Sequence, residues 1–335
     1  MDDIQTTQRL DLSAFSGKVE RVRTEISRFV VGQEEAVNLL LAAILADGHV
    51  LIEGVPGIAK TLLAKVLSRL VDARFGRLQF TPDLMPSDVL GTNVFDLKTQ
   101  EFSFHRGPVF TQLLLVDEIN RAPAKTQAAL FEVMEERQAT VDGVTYPMDA
   151  FFCILATQNP VEQEGTYKLP EAQLDRFLLK LTMSYPSQEQ EVEILRRHQV
   201  RERMDTTQLQ PVLTTDEIRE MRALMDRVIV DDAILRYIAA IIQQTRVSRS
   251  LYLSASPRAS VALLRLSKAL ALLSGRDFVT PDDVKRLAPS VLAHRIVLTA
   301  EAEMEGLTVA RAVEELLQRA QVDLEIPPIP VQKQQ

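Results

Sequence analysis

The sequence has few of the features that mark secreted or membrane proteins. It has a single cysteine, Cys153, so no disulfide can form within the chain, and the apolar run around it predicts an inert buried thiol in a reducing compartment. The longest apolar stretch, Leu39–Ala46, is far shorter than the roughly 20 residues that a membrane span requires. Residues Met1–Leu10 lack the basic start and apolar stretch of a signal peptide. These absences predict a cytoplasmic protein without a membrane span.

An excess of basic residues is also missing. The formal net charge is −8, which argues against nucleic acid as a partner because nonspecific affinity for it comes from Lys and Arg that neutralise phosphates. The histidines, His49, His105, His198 and His294, are scattered without the spacing of metal ligands. The sequence therefore predicts no transition-metal site.

What is present is the composition of a globular protein with two domains. The 335 residues exceed the roughly 100 to 200 of an ordinary domain. Between about residues 48 and 185, short apolar runs alternate with helical patterns, which predicts an α/β domain with a mostly parallel sheet and crossover helices. The predicted strands are Val50–Glu53, Leu78–Phe80, Leu113–Val116, Phe151–Ala156 and Phe177–Met183.

After Tyr185-Pro186 the pattern becomes helical. We predict an all-helical second domain over residues 187–325 and an extended Pro-rich tail at 326–335. Asp142-Gly143, flanked by β-forming residues, predicts a hairpin over Arg137–Pro147. The helix starts are predicted by capping residues or by Pro at the first helical position, at Ser187 with Gln190, Thr214 with Glu217, Ser256-Pro257 and Thr280-Pro281-Asp282.

A phosphate-binding loop is predicted between the first strand and the following helix. Small residues there let successive backbone N–H groups turn toward a β-phosphate at a helix N-terminus, Lys60 reaches the β- and γ-phosphates, and Thr61 offers its hydroxyl to Mg²⁺. Ala59 stands where the general pattern has Gly, and we expect a negative φ there. The residues predicted to surround the nucleotide are Gly54, Val55, Pro56, Gly57, Ile58, Ala59, Lys60, Thr61 and Leu62.

Two carboxylates follow the third predicted strand, at the end of the sheet where ligands bind in open α/β folds. Asp117 is expected to hold the Mg²⁺ shell, and Glu118 to polarise the water that attacks the γ-phosphate. Asn159 follows the next strand and can orient that water without neutralising Glu118. The sequence thus predicts an enzyme that binds ATP with Mg²⁺ and hydrolyses it to ADP and phosphate.

These motifs together resemble the AAA+ ATPases, and the closest likeness is to the MoxR family. That family's loop reads Gly-x-Pro-Gly-x-Ala-Lys-Thr, so Ala59 fits it. The likeness extends from about residue 20 to 325. The matching stretches are Gly54–Thr61, Asp117–Arg121, Ala156–Pro160, Val31–Gln33, Gly107–Phe110, Leu174–Phe177, Ala255–Ala259 and Leu292–Ile296.

The resemblance implies a fold and several residue roles. The fold is a P-loop domain over residues 1–186 with a five-stranded parallel sheet of order 5-1-4-3-2, followed by a helical lid. Val31 and Gly32 would lie near the adenine, Asn159 would be the first sensor, and Arg258 the second sensor on the γ-phosphate. Arg176 resembles an arginine finger that reaches a neighbour's site, with an ion pair to Asp175 or Glu171 as the alternative.

The resemblance also implies an assembly. A ring, in the form of a hexamer, would remodel a client protein, often with a partner that carries a von Willebrand A domain. An insert around residues 81–105 and the hairpin around 137–147 would line its pore, although the hairpin could equally be a plain surface feature. Arg106 and Arg121 could face a neighbour's nucleotide or form ordinary ion pairs. The alternatives are a nucleic-acid motor related to helicase loaders and a small-molecule kinase.

Overall fold

The computed structural model describes residues 10–55, 57–159, 167–199 and 205–320. Its strands are β1 Val50–Glu53, β2 Phe75–Gln79, β3 Gly91–Asp96, β4 Glu101–Arg106, β5 Leu113–Asp117, β6 Gln138–Val141, β7 Val144–Pro147, β8 Cys153–Gln158, β9 Leu179–Thr182, β10 Leu251–Leu253 and β11 Val297–Leu298. Its helices are α1 Ser13–Phe29, α2 Glu34–Leu45, α3 Lys60–Leu70, α4 Pro86–Leu90, α5 Ala124–Glu136, α6 Glu171–Leu174, α7 Gln188–Gln199, α8 Thr215–Met225, α9 Asp232–Val247, α10 Pro257–Leu273, α11 Pro281–Leu292, α12 Ala300–Met304 and α13 Val309–Arg319.

A five-stranded parallel sheet forms the centre of the first domain. Its order is β2-β5-β8-β1-β9, and every adjacent pair is parallel. When these five strands are renumbered 1 to 5 in chain order, the sheet order becomes 5-1-4-3-2, so the predicted order is confirmed. Strand β2 begins at Phe75, earlier than the predicted Leu78–Phe80, because its alternating exposure at the sheet edge hides it from a search for apolar runs.

The sheet divides the interior into two cores. Strand β5 is buried at every residue, and its alternate side chains point to opposite faces. Leu113 and Leu115 pack in a core with α1, α2, α3 and the C-terminal helices, whereas Leu114 and Val116 pack in a smaller core with α5. The C-terminal region is therefore joined to one face of the sheet by continuous apolar packing.

The C-terminal region is helical, as predicted. The expected N-terminal caps are confirmed: Thr214 and Thr280 form capping boxes, Ser256 accepts from the Arg258 N–H, and Ser187 pairs with Gln190. A short antiparallel ribbon, β10 with β11, is an addition that the helical pattern did not predict. In the described residues no helix has the length and apolarity needed to cross a membrane. The Pro-rich tail at 326–335 lies outside the described residues.

Two hairpins stand next to each other between β2 and β8. The first, β3–β4, follows the short helix α4 within the insert, and the second, β6–β7, turns at Asp142-Gly143, where both residues have positive φ. Asn93 Nδ2 donates to Asp142 Oδ2 at 2.7 Å across the gap. The rings of Phe104 in β4 and Tyr146 in β7 also stack, with centroids 4.2 Å apart. The hairpins thus support each other.

The lid is attached to the end of α2 that precedes β1. Arg222 of α8 donates to the carbonyl of Ile44 at 2.7 Å, and Arg265 of α10 donates to the carbonyl of Ala46. Basic groups at a helix C-terminus satisfy its last carbonyls and complement its dipole. Helix α10 is therefore held at the side of the sheet where β1 begins, which decides where Arg258 in its first turn can lie.

Candidate nucleotide site and the arginine pair

The predicted phosphate loop runs from β1 to α3, at the end of the sheet that we call the carboxyl edge. Gly57 has φ +86°, a conformation that side chains rarely adopt, and a Cβ on Gly54 would lie 2.9 Å from the Met183 carbonyl oxygen. Lys60 Nζ donates to the Gly54 carbonyl at 2.5 Å, which folds its side chain back over the loop. Thr61 and Leu62 follow in the first turn of α3. Pro56 lies outside the described residues.

The expectation of a negative φ at Ala59 is wrong. Ala59 is the N-cap of α3 and has φ +64° and ψ 23°, in the left-handed region. A Cβ in that region crowds the following carbonyl and costs about 1 to 2 kcal/mol. The turn between the loop and the helix imposes the conformation, and the packing of α3 compensates for it.

Asp117 is the last residue of β5 and lies between two strands that supply its partners. Arg77 of β2 donates from Nε to Asp117 Oδ2 at 2.7 Å, and Thr157 of β8 donates from Oγ1 to Asp117 Oδ1 at 3.3 Å. Thr157 Oγ1 also accepts from the backbone N–H of Glu118 at 3.0 Å. Both carboxylate oxygens of a nearly buried side chain are thus bonded.

Glu118 is held by its neighbours in an uncommon conformation. Its φ of +56° lies in the left-handed region, which non-glycine residues adopt chiefly where the surroundings determine it. Gln79 Nε2 donates to Glu118 Oε2 at 2.9 Å, and Arg121 Nε lies 3.0 Å from the same oxygen. Asn159 is buried directly after β8. The structure therefore brings Asp117, Glu118 and Asn159 to the carboxyl edge, where the phosphate loop also lies.

A cavity of about 500 Å³ opens between α2, the end of β9 and the lid. Gly32 lines it, as do Thr182 at the end of β9 and Ser184 just beyond that strand, with Ser290 from α11 and Val313 from α13. Its mixed apolar and polar walls can accept a flat heterocycle with a few hydrogen bonds. Of the two residues that the resemblance places near the adenine, Gly32 lines this cavity and Val31 does not, and the adenine position stays a prediction.

The other end of the same strands, the amino edge, carries a second charged group. Arg176 precedes β9, and Arg258 begins α10; we call them the arginine pair. Arg258 Nη2 lies 2.6 Å from Glu135 Oε1, and Arg176 Nη1 lies 3.9 Å from Glu135 Oε2 and donates to the Phe131 carbonyl at 2.6 Å. The pair lines a cavity of about 510 Å³ whose other charged residues are Asp47, Glu135, Arg137, Asp175, Arg265 and Arg295.

Buried neutral groups lie below this cavity. His49 Nδ1 accepts from the Ile154 N–H at 3.0 Å, so Nε2 carries the proton toward the Met134 carbonyl at 3.3 Å. Burial, helped by Arg137, lowers the pKa of His49 to about 3. Burial also lowers the pKa of His294, which contacts the Phe177 carbonyl, and raises the pKa of Cys153 to about 12. The buried inert thiol is thus as predicted.

Comparison with known proteins agrees with this architecture. Residues 49–179 match the ATPase family associated with various cellular activities (AAA), and residues 243–316 match the AAA lid domain. The chain is 42% identical to Chaperone MoxR1 of Mycobacterium tuberculosis, over 92% of this chain and 83% of that protein.

The chain belongs to the MoxR family of AAA+ ATPases.

Two further relatives lie at similar distances. The protein YeaC of Bacillus subtilis is 45% identical over 94% of this chain and 97% of its own length. The crystal structure of a candidate ATPase from Cytophaga hutchinsonii has 40% identity and a TM-score of 0.86, over 93% of this chain and 96% of that one. Nucleotide binding follows from membership of this MoxR ATPase family.

One expected residue of this MoxR-family site lies elsewhere. The resemblance implies that Arg258 is a second sensor on the γ-phosphate, and in this subunit it lies with Arg176 and Glu135 at the amino edge, because α10 is held where β1 begins. Its role as a sensor stays a prediction. The ion pairs left open for Arg176 are also absent from its described contacts: Asp175 pairs with Arg295 at 2.7 Å and Glu171 with Lys168 at 3.2 Å.

Four residues of the two charged groups were missed by sequence reasoning. Arg77 and Gln79 lie two residues apart on the same face of β2. That spacing, just before the insert, is the sequence feature that could have predicted them. Thr157 was read only as part of a motif, and Glu135 as one of several acidic residues in α5. Arg121 pairs with Glu118, and Arg106 lies over the Phe110 ring at 5.3 Å.

The donor set at the carboxyl edge fits Mg²⁺. Thr61 offers a hydroxyl and Asp117 a carboxylate, the oxygen ligands that Mg²⁺ prefers alongside phosphate oxygens. In the described ranges no group of three or more His, Cys, Asp or Glu could hold a metal ion. Mg²⁺ sites with nucleotides do not need such a group, because one or two protein oxygens and the phosphates suffice.

Proposed function

We propose that the chain hydrolyses ATP with Mg²⁺ in a homo-oligomeric ring, a hexamer, and uses the cycle to remodel or activate a client protein. The observation that carries the proposal is the position of the arginine pair. Arg176 and Arg258 lie at the amino edge, while the phosphate loop and the acidic pair lie at the carboxyl edge. Each edge is half of a phosphate-transferring site.

The strand length supports assembly as the way to join the halves. The four residues of β1 separate the two edges by about 13 Å. Repeated head-to-tail contacts can bring the amino edge of one subunit to the carboxyl edge of the next, and such contacts form a ring when the rotation between subunits closes. In this proposal Arg176 is an arginine finger, and Arg258 acts in the neighbour's site as well.

The chemistry at the carboxyl edge belongs to one subunit. Lys60 and the loop N–H groups would bind the phosphates, with Thr61 and Asp117 as ligands of Mg²⁺, which would neutralise phosphate charge. Glu118 would accept a proton from the attacking water, and Asn159 would orient that water. A carboxylate next to the metal-binding Asp favours water as the acceptor, so phosphate release without any added acceptor is expected and separates this reaction from that of a kinase.

A client protein rather than nucleic acid is the proposed target. The relative MoxR1 of Mycobacterium tuberculosis is named a chaperone, which supports a protein substrate. We also propose a partner that carries a von Willebrand A domain. The hairpin segment Ala139–Met148 contains no Lys or Arg, and the chain has a net charge of −8. Stimulation of ATP hydrolysis by DNA at low salt would instead favour the nucleic-acid motor.

Concentration dependence tests the ring. ATP hydrolysis per subunit is expected to rise with protein concentration and to level off once rings form, because a lone subunit has half of each site. Light scattering on the same samples measures assembly. Turnover per subunit that stays constant through a change from monomer to oligomer would contradict the proposal.

A further inference from the structure

Asp117 needs a cation from its surroundings. Its side chain is only 10% exposed, and it sits between β2 and β8 at the end of a fully buried strand. An ionised carboxylate at such a place is costly unless a positive group or several hydrogen bonds compensate for it. Thr157 supplies one hydrogen bond, to Oδ1. Arg77 supplies a positive charge, at Oδ2.

The sheet register brings Arg77 to this carboxylate. Gln79 of β2 lies opposite Asp117, and Arg77 lies opposite Leu115, so both β2 side chains are on the same face and two residues apart. Arg77 extends along the sheet toward the carboxyl edge and donates from Nε to Oδ2 at 2.7 Å. Its side chain is 54% exposed, so the guanidinium lies at the mouth of the site and not in the core.

A guanidinium and a metal ion make competing demands on one carboxylate. Arg stays charged at every accessible pH and is only weakly hydrated, so it is well suited to remain in such a pair. Mg²⁺ brings two charges to the same oxygen atoms, and two cations a few ångströms apart repel each other. Either cation therefore weakens the hold of the other on Asp117.

We propose that Arg77 is a positioning residue that serves as the resident counter-cation of Asp117 and thereby sets how much Mg²⁺ the nucleotide site requires. The inference rests on the proposed function, in which this site binds nucleotide with Mg²⁺. Arg77 compensates the buried carboxylate before the metal arrives and must yield when the metal shell forms. Because coupling between two ligands is reciprocal, removing Arg77 strengthens the binding of Mg²⁺.

The test measures metal binding and not turnover. A fluorescent N-methylanthraniloyl ADP is bound to the purified full chain in EDTA and then at increasing Mg²⁺, and the midpoint of the Mg²⁺ response is recorded. In Arg77→Gln the midpoint is expected at a Mg²⁺ concentration about 5-fold lower than in the unmodified protein, the low end of ordinary coupling between sites. A midpoint that is unchanged or moves to higher Mg²⁺ overturns the proposal.

Two variants guard against a structural explanation. Arg77→Lys keeps the charge and is expected to stay within about twofold of the unmodified protein; a shift as large as that of Arg77→Gln would overturn the role of charge. Arg74→Gln removes another arginine near the same strand, one that pairs with Asp149 away from the site, and should leave the midpoint unchanged. A shift in Arg74→Gln equal to that in Arg77→Gln would also count against the proposal.

A double substitution tests the partner directly. In the Asp117→Asn background the carboxylate is gone, so Arg77→Gln should no longer move the midpoint. A shift that persists there would overturn the assignment of Asp117 as the residue through which Arg77 acts. If the unmodified protein fails to bind the labelled ADP at all, the proposed function fails, which is a different result from binding with an unaltered midpoint.

Discussion

The two edges of the central sheet carry opposite charges for the same chemistry. At the carboxyl edge the proposed functional groups are Asp117 and Glu118, and their partners are Arg77, Gln79 and Arg121. At the amino edge the signs are reversed, because the proposed functional groups are the arginine pair and their shared partner is Glu135. The two carboxylates are thus matched by two arginines at the carboxyl edge, whereas the arginine pair shares a single carboxylate at the amino edge.

The two edges also differ in which structural elements supply the partners of the charged groups. The carboxyl edge uses side chains from adjacent strands and keeps two residues, Ala59 and Glu118, in the left-handed conformation. The amino edge uses helix ends from the first domain and the lid, above buried neutral histidines. In the proposed ring, hydrolysis would draw on both edges and therefore on two subunits, whereas nucleotide binding would need only one.

The largest effect on hydrolysis is expected when Arg176 is removed from the amino edge and the carboxyl edge is left intact. Arg176→Ala removes the charge that would stabilise the transferring phosphoryl group in the neighbour's site, so kcat is expected to fall by about 10³- to 10⁵-fold. Nucleotide affinity should remain, because the loop belongs to the other edge. Steady-state hydrolysis and labelled-ADP binding measure the two. Arg236→Ala, which removes an exposed arginine on α9, is the matched control.

The buried histidines should make folding depend on pH. Their folded pKa values are lowered, to about 3 for His49, so between pH 6.5 and 3 the unfolded chain binds protons that the folded chain does not. Stability is therefore lost as the pH falls below 6.5, and His49 contributes about 2 kcal/mol of that loss at pH 5. Urea unfolding at pH 7 and pH 5 measures the loss. His49→Gln should reduce the pH dependence; an unaltered slope would contradict the assignment.

A smaller gain is expected from relieving the backbone at the carboxyl edge. Ala59→Gly removes the cost of a Cβ at φ +64°, so the free energy of unfolding should rise by about 1 kcal/mol. The matched control is Ala239→Gly, at an exposed position within α9, where the same change should lower stability by about 1 kcal/mol. Thermal or urea unfolding of both variants checks the opposite signs.

The smallest effect concerns Glu135. Glu135→Gln removes the negative charge shared by the arginine pair, so the amino edge becomes more positive and should associate more readily with a neighbour's nucleotide. The protein concentration that gives half-maximal hydrolysis is expected to fall by about 3-fold. Glu136→Gln changes the neighbouring exposed residue and should not have this effect. A higher half-maximal protein concentration for Glu135→Gln would contradict the proposal that the arginine pair contacts a neighbour's nucleotide.

Sequence reasoning found the elements whose chemistry is written in consecutive residues. The phosphate loop, the acidic pair and Asn159 each lie at the end of a strand, so residue type and position in the chain were enough to predict them. The strand order followed from the family resemblance. Capping residues at Thr214, Ser256 and Thr280 act within one helical turn, and they were read correctly for the same reason.

Most of what the sequence did not predict depends on contacts between distant parts of the chain. Arg77 meets Asp117 only because β2 pairs with β5 in one register, and nothing in either segment states that register. Arg258 lies at the amino edge because Arg265 of the same helix binds the end of α2. The φ of Ala59 is set by how the loop enters α3. Residue preferences alone predict a negative φ for an alanine.

Mixing two inactive variants tests the central claim most directly. Glu118→Gln breaks the carboxyl edge and Arg176→Ala the amino edge, so each protein alone should hydrolyse ATP only weakly. In mixed rings, about a quarter of the interfaces would join an intact Glu118 to an intact Arg176. The rate of ATP hydrolysis should therefore recover to about a quarter of the rate of the unmodified protein. A mixture no more active than the average of its two components, in rings shown to exchange subunits, would contradict the account.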